Sequence, residues 1–175
     1  MIKQLLPLIL ASTLSFAVEY ANLEKISDGD TFTFKSQQHS EFKCRVFGID
    51  TPEKFHTDKM DKDASKVGIT AETMKKAGEA STQYAQQNLK VGKSYKVDVL
   101  EKDKYGRELC IVYDGDASSY NEASIKDGYA VVYKGGKYIK DDSFKRKLLQ
   151  AQKEAKSNNR GLWNGSTKKI MEGME

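Results

Sequence analysis

The sequence is poor in cysteine, histidine, proline and tryptophan, and it contains no long hydrophobic run. Its 175 residues include two cysteines, two histidines, two prolines and one tryptophan. Both histidines lie in polar stretches and no CxxC motif occurs, which argues against a zinc site because zinc prefers Cys and His ligands. The most apolar stretch, residues 5–10, is too short to cross a bilayer. With no internal repeat and no linker, the length predicts a single domain.

The first 17 residues have the order of a secretory signal peptide. Lys3 supplies a positive charge, residues 5–10 are apolar, and residues 15–17 form a small-x-small cleavage site. We expect cleavage after Ala17 and a secreted or periplasmic protein without a membrane anchor. The mature chain would carry 28 basic and 25 acidic residues, a net charge of +3. A net charge this small excludes no class of function. The distribution of charge is more informative, because basic residues are concentrated between residues 134 and 156.

The two cysteines, Cys44 and Cys110, lie in strand-like segments. In an exported protein an even number of cysteines favours a disulfide bridge. A bridge between Cys44 and Cys110 would connect distant parts of one sheet. Two buried free thiols are the alternative.

Residue patterns predict five short strands followed or interrupted by three helices. The strands are expected at residues 20–27, 31–34, 42–47, 94–100 and 107–113. The helices are expected at residues 70–90, 120–127 and 143–157. Between and after these elements, residues 54–68 are predicted to form a mobile charged loop and residues 164–175 a disordered tail. The order predicts an α+β fold, mainly β: a five-stranded OB-like barrel with three helices, spanning residues 18–163.

Two short segments bring carboxylates to neighbouring strand ends. The sequence DGDT at residues 28–31 is a tight turn before the second strand, and IDTPE at residues 49–53 follows the third. In a meander Asp30 and Asp50 lie at the same end of adjacent strands, where they can share one cation. The proline after Thr51 stiffens this turn and makes the Thr51 carbonyl a candidate third ligand. An all-oxygen site suits calcium, with magnesium as the alternative.

Charged side chains of both signs accompany these carboxylates. Arg45 precedes the second segment and Arg107 follows a later turn, while Glu53 lies just past Asp50, where it could hold a water molecule. A guanidinium group can hold two phosphate oxygens at once and stays charged at any working pH. The alternative for each arginine is a structural ion pair. Together these residues predict metal-assisted phosphodiester chemistry.

The order of these motifs resembles the thermonuclease family, that is, proteins similar to staphylococcal or micrococcal nuclease. DGDT, an arginine five residues before Asp50, IDTPE, and DKYGR at residues 103–107 follow one another, and NEA at 121–123 and GLW at 161–163 also match. The resemblance covers about residues 20–163. It implies a calcium-dependent phosphodiesterase that acts on DNA and RNA and leaves a 3′-phosphate.

The resemblance also implies a role for each residue. The implied calcium ligands are Asp30, Asp50 and the carbonyl of Thr51. The implied catalytic residues are Glu53, as the general base that activates water, and Arg45 and Arg107, which would stabilise the pentacoordinate phosphorus. The implied substrate contacts are Lys104 and Tyr105, with Tyr133 and Tyr138 as candidates for stacking on the base or ribose.

We expect the protein to be a monomer without a stable protein partner. Two other functions compete with a nuclease. A non-catalytic OB-type module that binds single-stranded nucleic acid needs basic residues and exposed aromatics, and both occur here. Such a module does not need clustered carboxylates, which would repel the phosphate backbone. A domain that calcium merely stabilises would melt at a calcium-dependent temperature and hydrolyse nothing.

Overall fold

The computed structural model describes residues 17–115 and 118–175, so the predicted signal peptide lies outside the described residues except for Ala17. In chain order the strands are β1 (Ala17–Ile26), β2 (Thr31–Ser36), β3 (Phe42–Val46), β4 (Ile49–Asp50), β5 (Ser94–Lys102), β6 (Glu108–Tyr113) and β7 (Val131–Val132). The α-helices are α1 (Asp58–Val67), α2 (Ala71–Asn88), α3 (Tyr120–Lys126), α4 (Asp142–Ser157) and α5 (Lys168–Met174). None of the described helices has the length and apolarity to cross a membrane.

Five of the strands close into a barrel in the order β1-β2-β3-β6-β5. The first three form the expected antiparallel meander, β3 pairs with β6 in parallel, and β5 closes the barrel against β1. This architecture confirms the predicted OB-like α+β fold. The prediction missed the short antiparallel pair β4–β7, in which Ile49 lies opposite Val132 and Asp50 opposite Val131.

Alternation along the strands fills the barrel and aims the polar residues outward. In β3, Phe42, Cys44 and Val46 are buried, whereas Lys43 is exposed and Arg45 is partly exposed. One face of the strand therefore belongs to the core and the other carries the arginine. Tyr120 of α3 packs in the same core, with its ring edge-on to Phe32 at 5.2 Å.

The predicted mobile loop at residues 54–68 is wrong for most of its length, because it contains helix α1. The Thr57 side chain caps the helix by accepting a hydrogen bond from the Met60 N–H at 3.1 Å. At the other end Gly68 adopts φ 70°, a left-handed conformation that suits a helix C-terminus. Met60 and Ala64, one turn apart, are buried, so packing holds a helix whose surface is almost entirely charged.

The predicted disordered tail is also wrong, because residues 168–174 form α5. Ile170 and Met171 are fully buried in a cluster with Met60, Met74 and Trp163. Two adjacent apolar residues are too few to show a helical period, so the sequence pattern gave no signal there. The three predicted helices α2, α3 and α4 are confirmed.

The predicted bridge between Cys44 and Cys110 is absent, and both residues are buried free thiols. They lie on the parallel pair β3–β6, but the register sets Cys44 opposite Glu108 and Cys110 opposite Val46. The two cysteines are therefore offset by two residues along the strands. Burial raises the pKa of the Cys44 thiol well above its ordinary value, with the neighbouring Cys110 adding to the effect.

Candidate active site

Asp30 and Asp50, the two carboxylates expected to bind a metal, converge on the guanidinium group of Arg45. Arg45 Nη1 forms an ion pair with Asp30 Oδ1, and Nη2 lies 2.6 Å from Asp50 Oδ1. The β2–β3 register places Arg45 opposite Thr31, directly after Asp30. Asp30 precedes β2 and Asp50 ends β4, the short strand that follows β3, so the fold brings the two carboxylates together around one positive group.

Asp30 also holds the turn that follows β4. Its second carboxylate oxygen, Oδ2, accepts hydrogen bonds from the Thr51 N–H and from the Thr51 hydroxyl, both at 3.0 Å. Asp30 and Thr51 are buried, whereas Asp50 is partly exposed. Asp30 therefore anchors the site from within, and Asp50 forms its solvent-facing side.

Asp28, at the start of the same turn, belongs to this electrostatic cluster. Its Oδ1 accepts a hydrogen bond from the Asp30 N–H at 3.1 Å. Burial raises the pKa of Asp28, although the charge of Arg45 and, more weakly, that of Arg107 oppose the rise. Both arginines therefore act electrostatically on one end of the barrel.

Glu53 lines a cavity of about 410 Å³ together with Asp50 and Thr51. Helix α2 passes directly beneath the Glu53 backbone at Gly78. A Cβ atom at Gly78 would lie only 2.5 Å from the Glu53 carbonyl oxygen. Glycine at this position lets the helix approach the segment that carries Glu53.

Arg107 is held by Asp103 within the DKYGR turn. Its Nε and Nη2 lie 2.8 and 2.7 Å from Asp103 Oδ2. Partial burial alone would raise the pKa of Asp103, but hydrogen bonds from Arg107 and from the backbone N–H groups of Tyr105 and Arg107 outweigh it, so that this pKa is lowered. Tyr105 is 72% exposed, with Lys104 Nζ 4.9 Å from its ring centroid. The turn therefore presents cationic and aromatic groups to solvent.

Tyr133 and Tyr138 form a stacked pair beside the cavity. Their ring centroids are 6.0 Å apart, and Lys134 Nζ lies 5.3 and 5.5 Å from them. Tyr133 lines the cavity together with Asp50 and Glu53, and Tyr138 does not. Of the two tyrosines, Tyr133 is therefore the one next to the carboxylates.

Comparison with known proteins decides the family. The model of the family described as staphylococcal nuclease homologue matches residues 43–165. The chain belongs to this family. An uncharacterized protein of Methanocaldococcus jannaschii is 31% identical over 157 residues, which cover 84% of this chain and 72% of that protein. The thermonuclease of Staphylococcus intermedius is 31% identical over 141 residues, 81% of this chain and 74% of that protein.

A third relative shares only one part of its length with this chain. Endonuclease YhcR of Bacillus subtilis is 30% identical over 149 residues, which are 83% of this chain but 12% of YhcR. This chain is therefore similar to only one segment of YhcR, which is a much longer protein. Together the family model and these relatives support a nuclease that hydrolyses nucleic acids.

Sequence reasoning missed one wall of the cavity of this family member. Helix α1 contributes Asp63, Lys66 and Val67, and the C-terminal segment contributes Ile170, Gly173, Met174 and Glu175. Helix α1 and the C-terminal segment pack closely within this wall, since a Cβ at Gly173 would lie 2.2 Å from Val67 Cγ1. Glu175 is tied to α4 through Lys156, 2.6 Å from its carboxylate. The cap at Thr57 and the stop at Gly68 are the signals that could have revealed α1.

The donor atoms at this site fit a hard cation. Two carboxylates, from Asp30 and Asp50, already converge on one positive group, and oxygen-only ligands are what calcium takes. Within residues 17–115 and 118–175, no three His, Cys, Asp or Glu side chains come together as a metal-binding group. A metal here would therefore depend on two carboxylates supplemented by backbone oxygen.

Proposed function

We propose that this protein is an exported, calcium-dependent nuclease that hydrolyses phosphodiester bonds of DNA and RNA and leaves 3′-phosphates. The observation that carries the proposal is the convergence of Asp30 and Asp50 on Arg45 beside a cavity that Glu53 lines. Family membership supports the nuclease reaction. Export depends on the signal peptide predicted from residues 1–17.

Asp30, Asp50 and the carbonyl of Thr51 would hold the calcium ion, which supplies positive charge to a phosphate oxygen when bound. In the structure Arg45 pairs with both carboxylates and offsets one of their two negative charges. The guanidinium group of Arg45 has five N–H donors, so it could also hold a phosphate oxygen through charge-assisted hydrogen bonds. Arg45 thus has two uses, as a counter-ion and as a phosphate clamp.

Arg107 can bind a phosphate without leaving Asp103. A guanidinium group has five N–H donors, and Asp103 engages only Nε and Nη2. The Nη1 edge can therefore donate to a phosphate oxygen or to the leaving 5′ oxygen. In this arrangement Asp103 is a positioning residue that fixes the orientation of Arg107.

Glu53 would take a proton from the attacking water. A carboxylate is a weak base, so the positive groups around the phosphate must lower the barrier together with it. General-base assistance contributes about 10²–10⁴-fold to a rate. Loss of one preorganised donor to the developing negative charge costs about 10²–10³-fold.

Digestion of DNA with calcium, and with a chelator in its place, tests the proposal. We expect the wild type to degrade DNA only with calcium, and Glu53→Gln to be about 10²–10⁴-fold slower at an unchanged melting temperature. Glu24→Gln, at an exposed site outside the cavity, is the matched control and should behave as the wild type does.

Three outcomes would contradict the proposal or a part of it. Hydrolysis by Glu53→Gln at the wild-type rate would remove the general-base role. Binding of nucleic acid without cleavage would favour the OB-type binding module. A melting temperature that rises with calcium in a protein without hydrolytic activity would favour a calcium-stabilised structural domain.

A further inference from the structure

Positive charge is concentrated in the segment that leaves the candidate active site. Residues 134–156 include eight basic and three acidic residues, a net charge of +5, while the whole chain carries +4. We propose that a basic ridge binds phosphates of the substrate strand several nucleotides away from the cleaved bond. The ridge consists of Lys134, Lys137, Lys140, Lys145 and Arg146. This inference rests on the proposed nuclease function and extends it to a second contact surface.

The ridge begins inside the candidate active site. Lys134 lines the cavity beside Asp50 and Glu53, and its ammonium group lies over the stacked pair of Tyr133 and Tyr138. A strand whose phosphate reaches the carboxylates therefore meets Lys134 and an aromatic platform next. Alternating cations and aromatic faces are what single-stranded nucleic acid binds without sequence preference.

The ridge continues from the loop onto helix α4. A Cβ atom at Gly136 would lie 3.1 Å from Cγ and 3.2 Å from Cε of Lys145, so the aliphatic part of Lys145 lies across the loop backbone. Lys137, Lys140 and Arg146 are exposed. The loop and the first turn of α4 therefore present one basic surface.

Packing on the opposite side of α4 holds the ridge in place relative to the catalytic carboxylates. Phe144 stacks on Phe47 at 6.3 Å with an angle of 9° between the rings, and Leu148 is fully buried. A Cβ at Gly48 would lie 3.0 Å from Leu148 Cδ1. The helix thus packs directly on the turn that leads into Asp50, and this packing sets the position of the ridge relative to the site.

Of the three acidic residues within the segment, Asp142 is exposed in the first turn of α4, whereas Asp141 is engaged by the helix backbone. Asp141 Oδ1 caps α4 by accepting hydrogen bonds from the N–H groups of Ser143 and Phe144 at 2.8 and 3.0 Å. Its charge is therefore turned toward the helix N-terminus, where the helix dipole favours a carboxylate. The alternative to phosphate binding is that these lysines form a solvated surface that keeps the protein soluble. Solvation alone predicts no dependence of cleavage on substrate length.

A triple variant, Lys137→Gln with Lys140→Gln and Lys145→Gln, tests the ridge. Glutamine removes the charge and keeps part of the aliphatic stem over Gly136. The substrates are a long single-stranded oligodeoxynucleotide and a dinucleotide, each with calcium at several salt concentrations. Each lost phosphate contact on a single strand lowers the slope of log kcat/KM against log salt by about 0.7, so we expect a slope about 2 smaller on the long substrate. Dinucleotide cleavage should stay unchanged.

The matched control neutralises three exposed lysines that do not line the cavity: Lys25→Gln, Lys35→Gln and Lys90→Gln. Equal salt slopes for the test and control variants would overturn the ridge, and so would an equal loss of activity on both substrates. If the wild type cleaves neither substrate, the proposed nuclease function fails instead. The ridge is then judged by the salt dependence of oligonucleotide binding, measured by fluorescence anisotropy.

Discussion

Replacement of Gly78 by alanine should impair catalysis, even though alanine has a higher helix propensity than glycine. Gly78 lies within α2, where alanine is ordinarily about 1 kcal/mol more favourable than glycine. The added Cβ would lie 2.5 Å from the carbonyl oxygen of Glu53 and 2.6 Å from the Lys54 nitrogen. Ordinary contact begins at 3.4 Å, so the helix and the Glu53 segment must separate by about 0.9 Å. Both neighbouring atoms are backbone, and no side-chain rotation can relieve the contact.

A shift of this size matters because Glu53 is the proposed general base. A misplacement of about 1 Å in a catalytic geometry can cost about 10²-fold in rate. Overpacking costs about 1–3 kcal/mol, and the gain of about 1 kcal/mol in helix propensity offsets part of it. We therefore expect turnover to fall about 10²-fold and the free energy of unfolding to fall by at most about 2 kcal/mol.

Turnover of a DNA oligonucleotide with calcium, together with urea unfolding, gives both quantities on one preparation. Gln83→Ala, at an exposed position of the same helix, isolates the effect of helix propensity. A Gly78→Ala protein that turns over at the wild-type rate and gains about 1 kcal/mol of stability would refute the reasoning. It would mean that the approach of α2 does not set the position of Glu53.

Three further measurements test the fold. Asn121→Ala should lower the free energy of unfolding by at least about 2 kcal/mol, because the buried amide satisfies three backbone groups and each unpaired group costs about 1–3 kcal/mol. Met171→Ala should cost about 2–5 kcal/mol and Lys169→Ala almost nothing in chemical denaturation, whereas a disordered tail would make both neutral. Burial and the hydrogen bond to Asp98 raise the pKa of Tyr113 to about 12. The Tyr113 hydroxyl therefore contributes its full stabilisation below about pH 10, the pKa of tyrosine in the unfolded chain, and this stabilisation is lost as the pH rises toward 12. In an ultraviolet titration, Asp98→Asn should lower the pKa of Tyr113.

Local patterns were sufficient for most of the fold because they depend on near neighbours. The alternation in β3 and the capped, proline-free stretch of α2 are properties of consecutive residues, and the structure has both elements. Helix α1 escaped prediction because most of its residues are charged and, among the side chains that the structure describes in it, Met60 and Ala64 are the buried ones. Two apolar residues are too few to indicate an amphipathic helix in the sequence. Their packing is apparent only in the tertiary structure, where a partner helix covers them.

The candidate site, too, was predicted only in part from the sequence. Motif order and the meander predicted that Asp30 and Asp50 would lie together, and the structure brings them to one guanidinium group. The sequence did not indicate that Arg45 would lie between the carboxylates or that Arg107 would be paired with Asp103. Such pairings depend on where side chains point after the barrel closes.

By itself, the sequence determined the family, the strand meander and the identity of the charged residues at its open end, because spacing and turn chemistry act over a few residues. Only the tertiary structure decided which charges face one another. It left Cys44 and Cys110 as buried thiols on offset positions of two parallel strands. It also folded the segment after Trp163 into a wall of the cavity at the candidate active site. Both outcomes depend on contacts between residues far apart in the chain, which no local pattern encodes.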